Sequence, residues 1–268
     1  MNILIKGGNV YTKEGSVRQD MALTDGRISF DVSGSFDSVY EADGLDIIPG
    51  LADAHVHLRE PGFSYKETIR TGTMAAAHGG VTSVLAMPNL DPAPCTLPAL
   101  QEELDIIRRD AVIDVIPFGT ITMGRMGRGE LADMEAMAPY VCGFSDDGTG
   151  VQDEAVMRQA MERAAALGKI ISAHCEDESE LRPGGCIHDG AYAREHGHVG
   201  INSESEWKQV ERDLRLAEET GARYHVCHVS TKESVRLIRE AKKRGVKVTC
   251  ETGPHYLIYT DEDLKESG

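Results

Sequence analysis

Two rhythms of apolar and polar residues divide the chain. Up to about residue 48 the apolar groups are short and broken by turn residues. Asn2–Ile5 and Asn9–Tyr11 are separated by Gly7-Gly8, and Asp20–Thr24 and Arg27–Phe30 by Asp25-Gly26, a pair suited to a two-residue hairpin. Residues 1–48 read as a small antiparallel β unit, a scaffold, and residues 49–268 as a second domain.

After Asp53 apolar runs alternate with stretches of helical character. Predicted strands are the segment carrying His55, then Val81–Met87, Val112–Phe118, Val141–Ser145, Lys169–His174, Arg223–His228 and Val246–Glu251. Predicted helices lie near residues 65–77 (stopped by Gly79-Gly80), 97–109, 131–138, 153–167, 204–219 and 232–244. Cys175 to Val199 is polar, Gly-rich and long for a loop, a length that often marks function. Seven nearly continuous apolar strands joined mostly by helices predict an α/β fold with a parallel sheet covered on both faces.

Polar residues recur at the strand C-termini: His55 and His57, Asn89, Asp146-Asp147, His174, His228 and Glu251. In a (β/α)8 barrel those ends share one mouth. A doubly wound sheet would gather function at one switch point instead, so the barrel is preferred. A closed barrel takes eight strands, and a polar tail, Asp261–Gly268, follows soon after the seventh. The barrel is therefore expected to be truncated after strand seven.

Composition narrows the class. The 268 residues can bury a sizeable core, and 41% hydrophobic with 27% charged residues is a globular balance. A net charge of −16 disfavours a nucleic-acid binder. No apolar run reaches membrane-spanning length, and Met1–Lys6 lacks a signal-peptide layout. The six cysteines form no CxxC pair, so reduced thiols and a cytoplasmic location are expected.

The chemistry centres on Asp53-Ala54-His55-Val56-His57-Leu58-Arg59. Histidines at i and i+2 of a strand share a face, which makes half a metal site. Asp53 and Arg59 continue the alternation and are expected on the same face. At a common mouth His55, His57, Asp146 or Asp147, His174 and His228 would suit Zn²⁺, Mn²⁺ or Co²⁺. So many ligands exceed one catalytic zinc and point to a metal pair about 3.5–4 Å apart that activates water against an amide-like bond. Arg59 offers a planar fork for a carboxylate and Asn89 a neutral donor. His225, three residues from His228, is expected to face the other way as a wall residue. His78, His188, His196 and His198 read as solvated, Cys175 and Cys227 as packing, and His255 stays open between a support for the ligands and a bystander.

Asp53–Gly62, with its HVHLREPG run, resembles the first-strand motif of type I dihydroorotases, cyclic amidohydrolases of the amidohydrolase superfamily. Ala86-Met87-Pro88-Asn89, Phe144–Gly148, Ala173–Asp177 and His225–Thr231 match in the same order, so the resemblance spans essentially the whole chain. It implies a metal-dependent hydrolase with a TIM-like barrel and two Zn²⁺ per subunit. The implied reaction is the reversible hydrolysis of dihydroorotate to N-carbamoyl-L-aspartate in de novo pyrimidine (UMP) biosynthesis, with a metal-bridging hydroxide attacking the ring amide carbonyl.

By position, the resemblance gives His55 and His57 to the first metal, Asp147 to both, and His174 and His228 to the second. Arg59 and Asn89, with His57 beside them, would hold the substrate. The family's catalytic aspartate belongs to strand eight and would lie beyond Gly268, so no general acid/base is assigned and the chain alone is expected to be inactive or nearly so. Dihydropyrimidinase, hydantoinase and allantoinase are similar at HxH but usually bridge their metals with a carboxylated lysine after strand four. Ser145-Asp146-Asp147-Gly148 holds no lysine, which favours dihydroorotase. A rival from another class is a non-catalytic dihydroorotase-like partner of aspartate carbamoyltransferase. That enzyme and a second copy of the chain are the partners the resemblance allows.

Overall fold

Asp25 and Gly26 take φ values of 49° and 74°, the left-handed pair that a two-residue hairpin requires. They join β2 (Gly15–Thr24) to β3 (Arg27–Ser29), and β2 pairs antiparallel with β1 (Ile3–Thr12) on its other side. The computed structural model describes residues 1–265.

Gly7-Gly8 does not divide two strands. It forms a bulge inside β1, where the register shifts between Ile5 and Gly8. Gly8 is required there by close approach, since a Cβ would lie 2.4 Å from the Ile47 side chain. The antiparallel expectation for residues 1–48 needs correcting. β4 (Ser38–Glu41) and β5 (Asp46–Ile47) run end to end, both parallel to β1. The hairpin reverses the chain twice, so a strand returning through Phe30–Asp37 meets β1 in the same direction. Contacts group Met1–Leu51 as one compact unit and the chain from Ala52 as a second.

In the second unit the predicted alternation is present. The order is β6 (Leu51–Val56), α1 (Ile69–His78), β7 (Val81–Ala86), α2 (Leu97–Asp110), β8 (Asp114–Pro117), α3 (Met134–Met137), β9 (Gly143–Phe144), α4 (Glu154–Ala166) and β10 (Ile170–Ala173). Then come β11 (Ile187–His188), α5 (Ala191–His196), β12 (Gly200–Ile201), α6 (Glu204–Thr220), β13 (Arg223–Val226), α7 (Lys232–Arg244), β14 (Val248–Cys250) and α8 (Pro254–Ile258). α1 starts four residues later than expected because Thr68 caps it: its hydroxyl accepts from Thr71 N, while Glu60 accepts from Ile69 N at 3.0 Å. The long 175–199 segment is no bare loop, for it holds β11 and α5. The polar tail begins with a short 3-10 turn at Asp261–Asp263; its last residues, 266–268, lie outside the described ones.

β6, β7 and β8 are neighbours in that order, and β9, β10, β13 and β14 continue it. Bonds from Gly119 N to Gly143 O (3.1 Å) and from Ser145 N to Gly119 O (2.9 Å) link the two sets beyond β8. β7–β8, β9–β10, β10–β13 and β13–β14 pair parallel. Because the strands lie in sequence order, the reversal that defines a doubly wound sheet is absent among the described residues. Phe144, Ile171, Tyr224 and Val226 pack outward against Met157 and Met161 of α4, Leu214 of α6 and Ile238 of α7. Leu58, Ile69, Val84 and Ala86 form a second cluster under Ile106 and Ile107 of α2. These layers leave the strand C-termini to carry the polar groups.

One buried group works against this core. Glu103 of α2 is 2% exposed, and its Oε2 has no hydrogen-bond partner among the described residues. Burial pushes its carboxyl well above the ordinary value of 4.5. The folded chain thus keeps a proton that the unfolded chain releases near pH 4.5, and stability falls as pH rises from there. Glu103→Leu is expected to stabilise the fold by about 1–3 kcal/mol at pH 8, with a smaller gain at pH 5, read from thermal unfolding at both pH values.

Candidate functional site

His55 is the penultimate residue of β6 and His57 follows the strand directly, and their rings lie 5.2 Å apart on one face, as i and i+2 positions of a strand require. The alternation then stops. Leu58 is buried, and Arg59 takes φ 60°, a left-handed backbone that ends the strand's period. The regular alternation that carries Asp53, His55 and His57 therefore ends before Arg59. Asp53 is exposed, and its carboxylate accepts from its own neighbour, His55 N, at 3.1 Å. Arg59 is half-buried, with its guanidinium near enough to His57 to disfavour protonation there. Among the described residues that guanidinium has no hydrogen-bond or ion-pair partner.

The Asp146-Asp147 pair, in the loop after β9, splits into two roles. Asp146 is a structural brace: it accepts from Ile121 N at 2.8 Å, from Gly127 N at 3.2 Å, and from the backbone N–H and hydroxyl of Thr122. Asp147 turns to the strand ends. Its Oδ1 lies 3.6 Å from His55 Nε2, 3.7 Å from His174 Nδ1 and 3.4 Å from His228 Nε2, and its Oδ2 lies 3.6 Å from His57 Nε2. His174 follows β10 directly, and His228 sits two residues past β13. The structure thus brings together all five residues read as metal ligands.

Two carboxylates missed as site residues complete the cluster. Glu251 Oε1 is 3.0 Å from His55 Nδ1, and Glu176 Oε2 is 3.4 Å from His174 Nε2. Each takes the outer nitrogen of its ring and leaves the inner one for the centre. The signals were present: Glu251 ends a strand as the histidines do, and Glu176 stands two residues after His174. Arg125, with φ 57°, was also missed; its Nη1 donates to Asp147 O and to Thr149 Oγ1, both at 2.7 Å.

Asn89 differs from expectation in polarity. Its Nδ2 donates to Asp147 O at 2.8 Å, so the group it leaves buried and unpartnered among the described residues is the acceptor Oδ1. His225 also differs. Its parity with His228 fails because β13 ends at Val226 and His228 takes φ 34°. His225 therefore lies near His55 and His228, and burial together with those neighbours pushes its pKa down. His255 is exposed on α8 with its ring against Tyr256, and it bonds to none of the cluster among the described residues.

Four imidazoles at 3.4–3.7 Å from one carboxylate are too distant for strong hydrogen bonds and too close for water to separate them. His174 Nδ1 and His228 Nε2 approach to 3.1 Å, a contact that needs a shared proton or a shared cation. The donor set is nitrogen with one carboxylate, the set that suits zinc. His57 agrees: burial, with Arg59 adding to it, pushes its pKa down to about 4, so its ring is neutral and its lone pair available. Against burial, the close approach of His174, His228 and His55 holds Asp147 far below the usual carboxylate range. Burial opposes protonation of His174 too, but the carboxylates of Asp147 and Glu176 beside it raise it to about 9.

Parallel strands in sequence order, with a histidine–carboxylate cluster at their C-terminal ends, define a class of α/β scaffold that gathers metal-ligand side chains at one end of its sheet. The Dihydro-orotase-like family model matches residues 44–234. The chain belongs to that family. Among curated relatives, "Dihydroorotase" of Fusobacterium nucleatum is 46% identical over 267 residues, covering 98% of this chain and 62% of the relative. "Dihydroorotase" of Enterococcus faecalis is 48% identical over 271 residues, covering 98% and 63%. The chain thus spans a little under two thirds of those relatives' length. Among solved structures, the L-hydantoinase (dihydropyrimidinase) of Arthrobacter aurescens superposes with a TM-score of 0.80 at 23% identity, covering 97% of this chain and 60% of that one. D-hydantoinase of Bacillus sp. AR9 gives a TM-score of 0.80 at 24% identity, covering 98% and 60%. These last two bear on the fold alone.

Proposed function

We propose that the polypeptide is a metal-dependent cyclic amidohydrolase that interconverts dihydroorotate and N-carbamoyl-L-aspartate in pyrimidine synthesis in the cytoplasm. The observation that carries this reading is the convergence of His55, His57, His174 and His228 on Asp147, with Arg59, unpartnered among the described residues, beside His57. The seven ordered strands support a (β/α)8 barrel as the architecture. His55 and His57 would hold one Zn²⁺ and His174 and His228 a second, with Asp147 serving as a ligand to the pair. Bound there, the metal pair supplies Lewis acidity for the amide carbonyl and a water nucleophile near neutral pH.

The chain's own residues do the rest. Asp147 stays ionised and offsets part of the positive charge held at the centre. Arg59 takes the substrate carboxylate through two N–H groups. Asn89, fixed by its bond to Asp147 O, offers its free oxygen to a ring N–H. Water adds across the ring C–N bond, and the ring nitrogen leaves with a proton as the acyclic acid forms.

The test is dihydroorotate hydrolysis by the whole polypeptide, with zinc measured by elemental analysis. Arg59→Met is expected to lower kcat/KM for dihydroorotate by about 10–100-fold, the worth of a charge-assisted contact. Dihydrouracil, which lacks the carboxylate, is expected to be unaffected by that change. Less than one zinc per chain, or faster turnover of hydantoin than of dihydroorotate, sinks the reading.

A further inference from the structure

Glu251 follows β14, on the strand farthest in sequence from β6, yet its side chain reaches His55. One oxygen, Oε1, accepts twice: from His55 Nδ1 at 3.0 Å and from the backbone N–H of His228 at 2.7 Å. The second bond answers a local need. At the end of β13 the ladder runs from Glu251 N to Val226 O (3.1 Å) and from Val229 N to Glu251 O (2.9 Å), bypassing His228. With φ 34°, His228 turns its N–H out of the ladder and into the interior, where it needs an acceptor. The same turn aims its ring at Asp147, with Nε2 at 3.4 Å.

The first bond acts on a tautomer. A histidine that donates from Nδ1 keeps its lone pair on Nε2, and in His55 that nitrogen faces Asp147 at 3.6 Å. One carboxylate oxygen therefore orients a ring on β6 and a backbone beyond β13 at once. Those two histidines belong to different halves of the cluster.

We infer that Glu251 is a positioning residue that braces one ligand of each metal position, His55 and His228, and so couples the two positions through a single oxygen. This rests on the reading of the cluster as a two-metal centre. Because both bonds fall on Oε1, an amide oxygen in the same place keeps both. The side chain is 26% exposed, which leaves room for the amide NH₂ at the other terminus.

The experiment is zinc titration of the whole polypeptide against a competing chelator, for the unaltered chain, Glu251→Gln and Glu251→Ala. A cobalt(II) absorption spectrum of each reports ligand geometry, and circular dichroism with thermal unfolding reports folding. Glu251→Ala is expected to weaken both positions together by about 10–100-fold, the usual effect of losing such a partner. Glu251→Gln is expected to stay within about threefold, with an unchanged cobalt spectrum. If the Ala variant fails to fold, Glu251→Asp replaces it; one methylene shorter, it cannot reach both donors and is expected to lose affinity likewise.

Equal loss in Gln and Ala overturns the proposal, because charge rather than placement would then be at work. Loss at one position alone overturns the coupling. His55, Cys227 and Glu251 could also seat an ion themselves, since their ligand atoms lie within 4.8 Å of one another. A third zinc equivalent with a cobalt–thiolate band would show this and overturn the positioning role. An unaltered chain that binds no zinc brings down the metal reading itself, an outcome distinct from equal affinities across the three proteins.

Discussion

Asp147→Asn and Asp146→Asn, one residue apart, are expected to fail in opposite ways. In Asp147→Asn the carboxylate at the centre of four imidazoles becomes a neutral amide. Zinc content is expected to fall below one per chain. Turnover of dihydroorotate is expected to fall by about 10³-fold or more, since a metal's charge stabilisation is worth several kcal/mol and each 1.36 kcal/mol is a factor of ten. The metal-free protein still unfolds cooperatively, because Asp147 holds no backbone through its side chain. In Asp146→Asn one oxygen that accepts N–H groups is replaced by an NH₂ facing Thr122 and Gly127. Two lost charge-assisted bonds and the new clash cost about 2–4 kcal/mol, or about 10 °C in the thermal midpoint for a unit of this size. Measuring metal content and thermal unfolding on both variants separates the roles; a metal loss with Asp146→Asn at unchanged stability would reverse them.

That pair shows where sequence reading stops. Spacing alone left Asp146 and Asp147 open, because neighbours in a loop have no fixed parity. What separates them is a partner 24 or 25 residues upstream, Thr122 and Ile121, which claims Asp146. The strands and helices were legible because their signals are local: period, caps and glycine stops. The helix over Lys232–Arg244 was read to the residue, with Thr231 before it and Gly245 after it. His55 and His57 are legible for the same reason, as period two carries from β6 into the residue that follows it.

Arg59 and His228 were placed by counting that period past the end of the strand. Positive φ at both residues ends the count, so parity no longer fixes where the Arg59 and His228 side chains point. Glu251 was visible as a polar strand end, but its partner is 196 residues away in sequence. The directions of β4 and β5 depend on how Phe30–Asp37 crosses the unit, which no local pattern encodes.

Asp213→Ala is expected to cause the largest loss of stability in the second unit, although the residue touches none of the cluster. Asp213 is fully buried in α6, where its Oδ1 accepts from Arg212 Nε at 2.8 Å and Nη2 at 2.7 Å, and its Oδ2 from Tyr224 OH at 2.8 Å. Burial pushes the carboxyl up, and Arg212 works against that push. Arg212 also donates to Val151 O at 2.7 Å and Gln152 O at 3.0 Å, in the segment that follows Asp147. Tyr224 OH meets Cys175 Sγ, next to His174, at 3.2 Å. Removing the carboxylate leaves a buried cation and a hydroxyl without their acceptor, which costs about 3–5 kcal/mol. A urea midpoint series tests the cause. If the uncompensated charge is responsible, Arg212→Met with Asp213→Leu is expected to recover part of the loss, since paired apolar replacements spare the desolvation of a lone ion. Recovery stays incomplete because Val151 O and Gln152 O lose their donor in the double variant. A double variant less stable than Asp213→Ala would instead place the stabilisation in the two carbonyl bonds, and make Arg212 the strut that holds the loop behind Asp147.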